Sequence, residues 1–171
     1  YIAAGETCHP SDHLAAVLAA AESRDVSGRE LLVALAVAYQ VQCRLSDVAP
    51  VRAHGFDHTT QLAYSVAAGV ARALGLDATK TAHAIAIAGT STNALRASRT
   101  GTLSNWKGLA APHAAFSATH AALLAAHGVT GPLAVFEGNK GFMDAIAGRF
   151  HLDWTGEDLE RVTKTVTNPA N

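Results

Sequence analysis

A chain of 171 residues that is 49% hydrophobic holds enough apolar material for one compact core and too little for two domains of ordinary size. With 16% charged residues and a formal net charge of -1, it carries no basic stripe for nucleic acid and no Lys/Arg-rich amphipathic face for a membrane surface. Cys8 and Cys43 stand without a Cys-x-x-Cys pair, which argues against a disulfide framework or a structural zinc or iron–sulfur site and fits a reducing, cytoplasmic setting.

The opening Tyr1-Ile2-Ala3-Ala4-Gly5 reads as the middle of a loop without an initiator methionine, so the chain is expected to be a fragment of a longer one. It lacks the charged-then-apolar order of a signal peptide, and no window of about 18 apolar residues runs free of polar interruption. A first helix is predicted from about Asp12 to Ser23, capped by Ser11 or Asp12, short and mostly buried, with Leu14, Val17 and Leu18 on one face. Ser27 caps a second, long helix to about Ser46 that is apolar all round from Leu31 to Tyr39 and is expected to be the central one.

A polar loop from Asp47 to His58 follows. Thr59 or Thr60 then opens the clearest helix, with Leu62, Val66, Val70 and Leu74 at four-residue spacing and a stop at Gly75. Asp77 caps a fourth helix from Ala78 to about Gly89, and Thr90 to Leu103 reads as irregular. A fifth helix runs from near Asn105 to His127 and ends at Gly128. Beyond Gly131-Pro132, glycines at 138, 141 and 148 break the pattern, and Thr155 caps a last charged helix to about Lys164, so residues 132–171 read as a peripheral part.

No segment alternates as a strand does, and 37 of the residues are alanine, the best helix former and the residue that lets helix backbones approach closely. The predicted fold is therefore all-α: a single domain of about five to seven Ala-rich helices.

The order Cys8-His9-Pro10-Ser11-Asp12, Tyr39 to Arg44, Gly55-Phe56-Asp57-His58, Ala73-Leu74-Gly75-Leu76, Trp106-Lys107-Gly108-Leu109-Ala110, Gly131-Pro132, Phe136-Glu137-Gly138 and Gly141-Phe142 resembles the MmgE/PrpD family along nearly the whole chain. The family includes 2-methylcitrate dehydratase and cis-aconitate decarboxylase. The resemblance implies a helical domain, usually dimeric, that works with a second α/β lid domain on polycarboxylates without a metal. The lid domain is absent from this sequence, as are an Asp-x-x-Asp-Thr segment and a further histidine of the family pattern.

By position, His9 resembles the family's active-site histidine and Lys107 the lysine that faces the substrate. The chemistry asks for the same types. Dehydrating a β-hydroxy tricarboxylate needs a base that titrates near neutrality, and anions in a partly dry cleft need cations or helix N-terminal amides. His9 and Lys107 are thus the candidate catalytic residues, and Ser11, Arg96 and Arg99 candidate substrate contacts, the arginines as bidentate clamps. The other histidines form no His-x-x-x-His or Glu-flanked set, so neither a metal nor a cofactor is expected. Cys8 reads as a buried or idle thiol, and Asp57-His58 as a cap and loop pair.

The expected function is the helical domain of a metal-independent hydro-lyase acting on a small polycarboxylate, as a homodimer or higher homo-oligomer. Alternatives are a decarboxylase-like or epimerase-like member, or a non-catalytic, self-associating helical module.

Overall fold

The computed structural model describes residues 5–154. Five α-helices carry the fold: α1 (Leu14–Ser23), α2 (Gly28–Val48), α3 (Thr59–Ala73), α4 (Ala78–Ser91) and α5 (Trp106–Ala126). Short 3-10 turns at Pro10–His13, Arg52–His54 and Arg96–Arg99 and a π-helical turn at Met143–Ala147 join or follow them. Among the described residues there is no sheet; Phe56 and Leu95 form an isolated bridge. The all-α expectation holds.

Local chemistry sets the ends. The Ser27 hydroxyl accepts from Glu30 N (3.3 Å) while the Glu30 carboxylate accepts from Ser27 N (3.0 Å), a capping box that starts α2. Asp77 starts α4 by accepting from Lys80 N at 2.8 Å. The Lys80 ammonium then reaches across to the carbonyl of Ala126 (3.0 Å), adding a cation at the C-terminal end of α5, where the helix dipole favours one. The start of α1 differs from expectation. Pro10 opens a 3-10 turn that runs into the helix, and neither Ser11 nor Asp12 makes a side-chain cap.

The central helix is α3, not α2. All of α3 from Thr59 to Ala73 is buried except Arg72, whereas α2 leaves Leu32 68% exposed and Val33 and Tyr39 partly so. Packing against α2, α4 and α5 encloses α3 on every side. α1 likewise buries Val17, Ala20 and Ala21 but exposes Leu14 and Leu18, so it covers the core rather than lying inside it.

Small residues make this possible. Gly69 sits so close to its neighbours that a Cβ there would stand 2.8 Å from both Ala38 Cβ and Val17 Cγ2. Leu62, Val66 and Val70 fill the remaining space, each contributing roughly 2 kcal/mol by its removal from water. α2 has the length and apolar composition of a bilayer span. Its buried polar residues, however, face α3: Ser65 Oγ donates to Gln42 (3.3 Å) and Ser46 Oγ donates to Gln61 (3.2 Å), the pairing of a helix inside a bundle.

A second core joins Tyr64, Leu45, Val51 and Ala86 to Val135, Phe142, Ile146 and Ala147. Tyr64 stacks on Phe136 and meets Phe142 edge-on, with centroids 4.9 and 5.2 Å apart. Residues 132–154 are therefore not peripheral; their aromatic side chains close this end of the bundle. The helix expected after Thr155 lies outside the described residues.

Candidate functional site

Three loops converge at the end of the bundle where α3 and α5 begin. The segment before Pro10 is anchored by Glu6, whose buried carboxylate accepts from the amides of Val51 (3.1 Å) and Arg52 (3.0 Å), while Arg52 Nη2 donates to the Thr7 carbonyl at 2.6 Å. Gly55, at φ 84°, makes the left-handed turn that releases Phe56 and Asp57 toward the loop after α4. Asp57 N donates to Ala94 O (2.8 Å) and Arg96 N to Gly55 O (2.9 Å), and these bonds bring Arg99 onto Asp57.

The result is a buried charge cluster. Asp57 is wholly buried; one carboxylate oxygen accepts from Thr59 N at 3.0 Å and lies 3.0 Å from His58 Nδ1, and the other contacts Arg99 Nε. On the far side of the ring, His58 Nε2 is 3.7 Å from Asp12. Neither ring nitrogen of His58 achieves hydrogen-bond alignment, so these are ion-pair contacts. Burial alone would raise the Asp57 pKa, but His58, the Thr59 amide and Arg99 together hold it well below the usual carboxylate range. Burial also opposes charge on His58, yet the Asp12 and Asp57 carboxylates outweigh it and raise its pKa above 6.5.

His9 lies over this cluster, its ring 5.2 Å from that of His58 and steeply inclined to it. Partial burial and the His58 charge push its pKa down against the pull of Asp12. The two rings are thus driven apart: His58 toward imidazolium, His9 toward neutral imidazole. Cys8, next in the chain, is buried against α2; despite burial, hydrogen bonding to Cys43 and then to Ser46 brings its pKa down to about 7.

Asp12 also closes one end of a shallow groove of about 430 Å³ between α1 and α5, whose walls are Ala15, Ala16, Ala19, Ala111, Pro112 and Ala115, with Phe116 and Thr119 beyond. Lys107 falls on the same face of α5 as Ala110, Ala114 and Ala118, which pack inward. Lys107 stands in the first turn of α5, and α5 packs against the 3-10 turns at Pro10–His13 and Arg96–Arg99. The ammonium is exposed there, and no carboxylate pairs with it among the described residues.

Of the five residues singled out from the sequence, His9 lies on the cluster. Lys107 is at the same end of the bundle. Ser11 is exposed on the 3-10 turn, and Arg96 is half-buried with its amide holding Gly55. Arg99 contacts the buried Asp57 through Nε, a contact that a clamp on an external carboxylate would have to share. Sequence reasoning assigned no role at the site to Asp12, Asp57 or His58. The signal available was a charged pair set directly before the most buried helix, where a solvated loop pair is out of place.

The family model for the MmgE/PrpD N-terminal domain matches residues 1–155, and the chain belongs to the MmgE/PrpD family. The five-helix bundle is the helical domain of that family, with its histidine cluster at the end where α3 and α5 begin.

Proposed function

We propose that the His9 end of the bundle binds a small polycarboxylate and removes a proton from the carbon next to a carboxylate, the first half of a hydro-lyase reaction of the 2-methylcitrate dehydratase kind. One observation carries the reading: two imidazoles 5.2 Å apart whose surroundings push their proton affinities in opposite directions. Such divergence is how one site supplies a base at neutral pH.

His9, the exposed ring, is the base; His58 is a positioning residue whose charge keeps His9 neutral. The Lys107 ammonium is the counter-charge for the carboxylate that gathers negative charge as the proton leaves. The electron pair of the broken C–H bond forms the C=C bond and expels the β-hydroxyl. Protonated His9 returns its proton to that hydroxyl, which departs as water, so atoms and charge balance. The same first step serves epimerisation.

Isothermal titration with citrate, 2-methylcitrate and cis-aconitate, run beside Lys107→Ala, tests the proposal. Saturable heat that is lost in the variant is the expected result. Absence of heat from all three ligands on the wild-type chain would leave the non-catalytic module as the better reading.

A further inference from the structure

The segment that carries His9 is held along α2 at both ends. Glu6 N donates to the carbonyl of Ser46 (3.0 Å), and a Cβ on Gly5 would stand 2.5 Å from that same oxygen, so the chain enters in close contact with the helix. Further on, the His13 ring meets Tyr39 of α2 edge-on, with centroids 4.6 Å apart. Between these two fixed points Cys8 is wholly buried, and its thiol is hydrogen-bonded to that of Cys43. Cys43 lies on the same face of α2 as Tyr39 and Ser46, one turn after the first and one before the second.

Two thiols in contact, on backbone pinned to either side of them, are placed to form a disulfide. We propose that a hydroperoxide oxidises Cys8 and Cys43 to a reversible disulfide, which ties the His9 segment to α2 and shifts the His9 ring on the His58 cluster. His9 need not be a base for this to hold.

Cys8 is the thiol attacked first. The hydrogen bond from Cys43 favours the Cys8 thiolate and, despite burial, brings its pKa down to about 7, while Cys43 is itself held protonated. The thiolate sulfur bonds one peroxide oxygen, the O–O bond breaks, and the departing hydroxide takes up a proton and leaves as water. Cys43 sulfur then attacks the sulfenic acid: the S–S bond forms, the S–O bond breaks, and the hydroxyl leaves with the Cys43 proton as a second water. The two thiols thus give up two electrons and two protons, and the peroxide becomes two waters. Burial of Cys8 limits the oxidant to one as small as hydrogen peroxide.

Bonding two sulfurs that now only touch draws Cys8 toward α2, and His9, the next residue, moves with it. The 5.2 Å contact between the His9 and His58 rings changes as a result. A dithiol reverses the step by reducing the disulfide and being oxidised to a disulfide in turn.

The test treats the 171-residue chain with hydrogen peroxide at neutral pH, then unfolds it in N-ethylmaleimide and weighs it. A monomer lighter by two hydrogens that takes up no maleimide is expected, with Cys8 and Cys43 in one cross-linked pair of peptides after proteolysis. Dithiothreitol should return both alkylatable thiols. The His9 imidazole resonances should shift on oxidation and come back on reduction. Cys43→Ala, which removes the second thiol, should stop at a sulfenic acid on Cys8 that dimedone traps. Two alkylatable thiols after peroxide, a disulfide formed only between chains, oxidation confined to Cys43, or a Cys8–Cys43 disulfide that leaves the His9 resonances in place overturns the proposal.

Discussion

His58 Nδ1 stands 3.0 Å from the carboxylate of Asp57, with both side chains buried, and the pair is flanked by the Arg99 guanidinium on Asp57 and the Asp12 carboxylate on His58. Removing one member of such a buried set leaves a charge without compensation, which costs far more than the intact pair contributes. Arg99→Met is therefore expected to destabilise the chain by about 2–4 kcal/mol, less than a fully buried partner would because Arg99 is about a quarter exposed. Urea unfolding of Arg99→Met, Asp57→Asn and the double variant gives the coupling; additivity of the two single effects would show that the contact carries no weight.

The His58 charge also sets the state of its neighbour. Since that charge depresses the His9 pKa, His58→Asn should move the His9 titration midpoint upward. Imidazole resonances followed by NMR against pH check this, and a midpoint that stays put removes the electrostatic link on which the assignment of His9 as base depends.

Stability should peak near pH 6.5. His58, with its folded pKa raised above 6.5, stabilises fully below 6.5 and loses that contribution as pH rises through the raised value. His13 works the other way: its ring is wholly buried, and burial brings its pKa down to about 4 despite Asp12, so its contribution is present above 6.5 and lost as pH falls toward 4. That acid limb is worth about 3 kcal/mol. His9, also lowered, adds in the same direction, and Asp57 loses its share only at more acid pH. Thermal midpoints from pH 5 to 9 should show His13→Leu flattening the acid limb and His58→Asn flattening the alkaline one.

Gly69→Ala is expected to cost about 1–3 kcal/mol, because the new methyl meets Ala38 and Val17, neither of which can swing aside. Gly28→Ala has open space around it at the start of α2 and should gain about 0.5 kcal/mol from helix propensity. Chemical denaturation of the two variants side by side separates packing from propensity; equal effects would contradict the close approach at Gly69.

The sequence made α3 legible by its four-residue apolar spacing and its glycine stop, and its extent came out within a residue or so. Its burial was not legible, since Thr59, Thr60, Gln61 and Ser65 read as polar, and nothing local says that Ser65 pairs with Gln42 and Gln61 with Ser46 of α2. The uniform apolarity of Leu31 to Tyr39 pointed instead to α2 as the centre, but Leu32, Val33 and Tyr39 lie open on its outer side. At the candidate site, the sequence singles out His9 by its place in the Cys8-His9-Pro10 stretch that resembles the family pattern, and the fold sets its ring on the His58 cluster. Asp57 and His58 were passed over as neighbours in a loop because Arg99 is 42 residues from Asp57, a distance that only the folded backbone closes.

Tyr64 and Val66, one turn apart or less on the same helix, belong to different cores. Because α3 threads both, the domain has no plane along which one half can come away while the other stays folded. Amide protons along α3 therefore wait for the whole molecule to open before they exchange, and a helix whose one exposed side chain is Arg72 sets the lifetime of the histidine cluster at its tip.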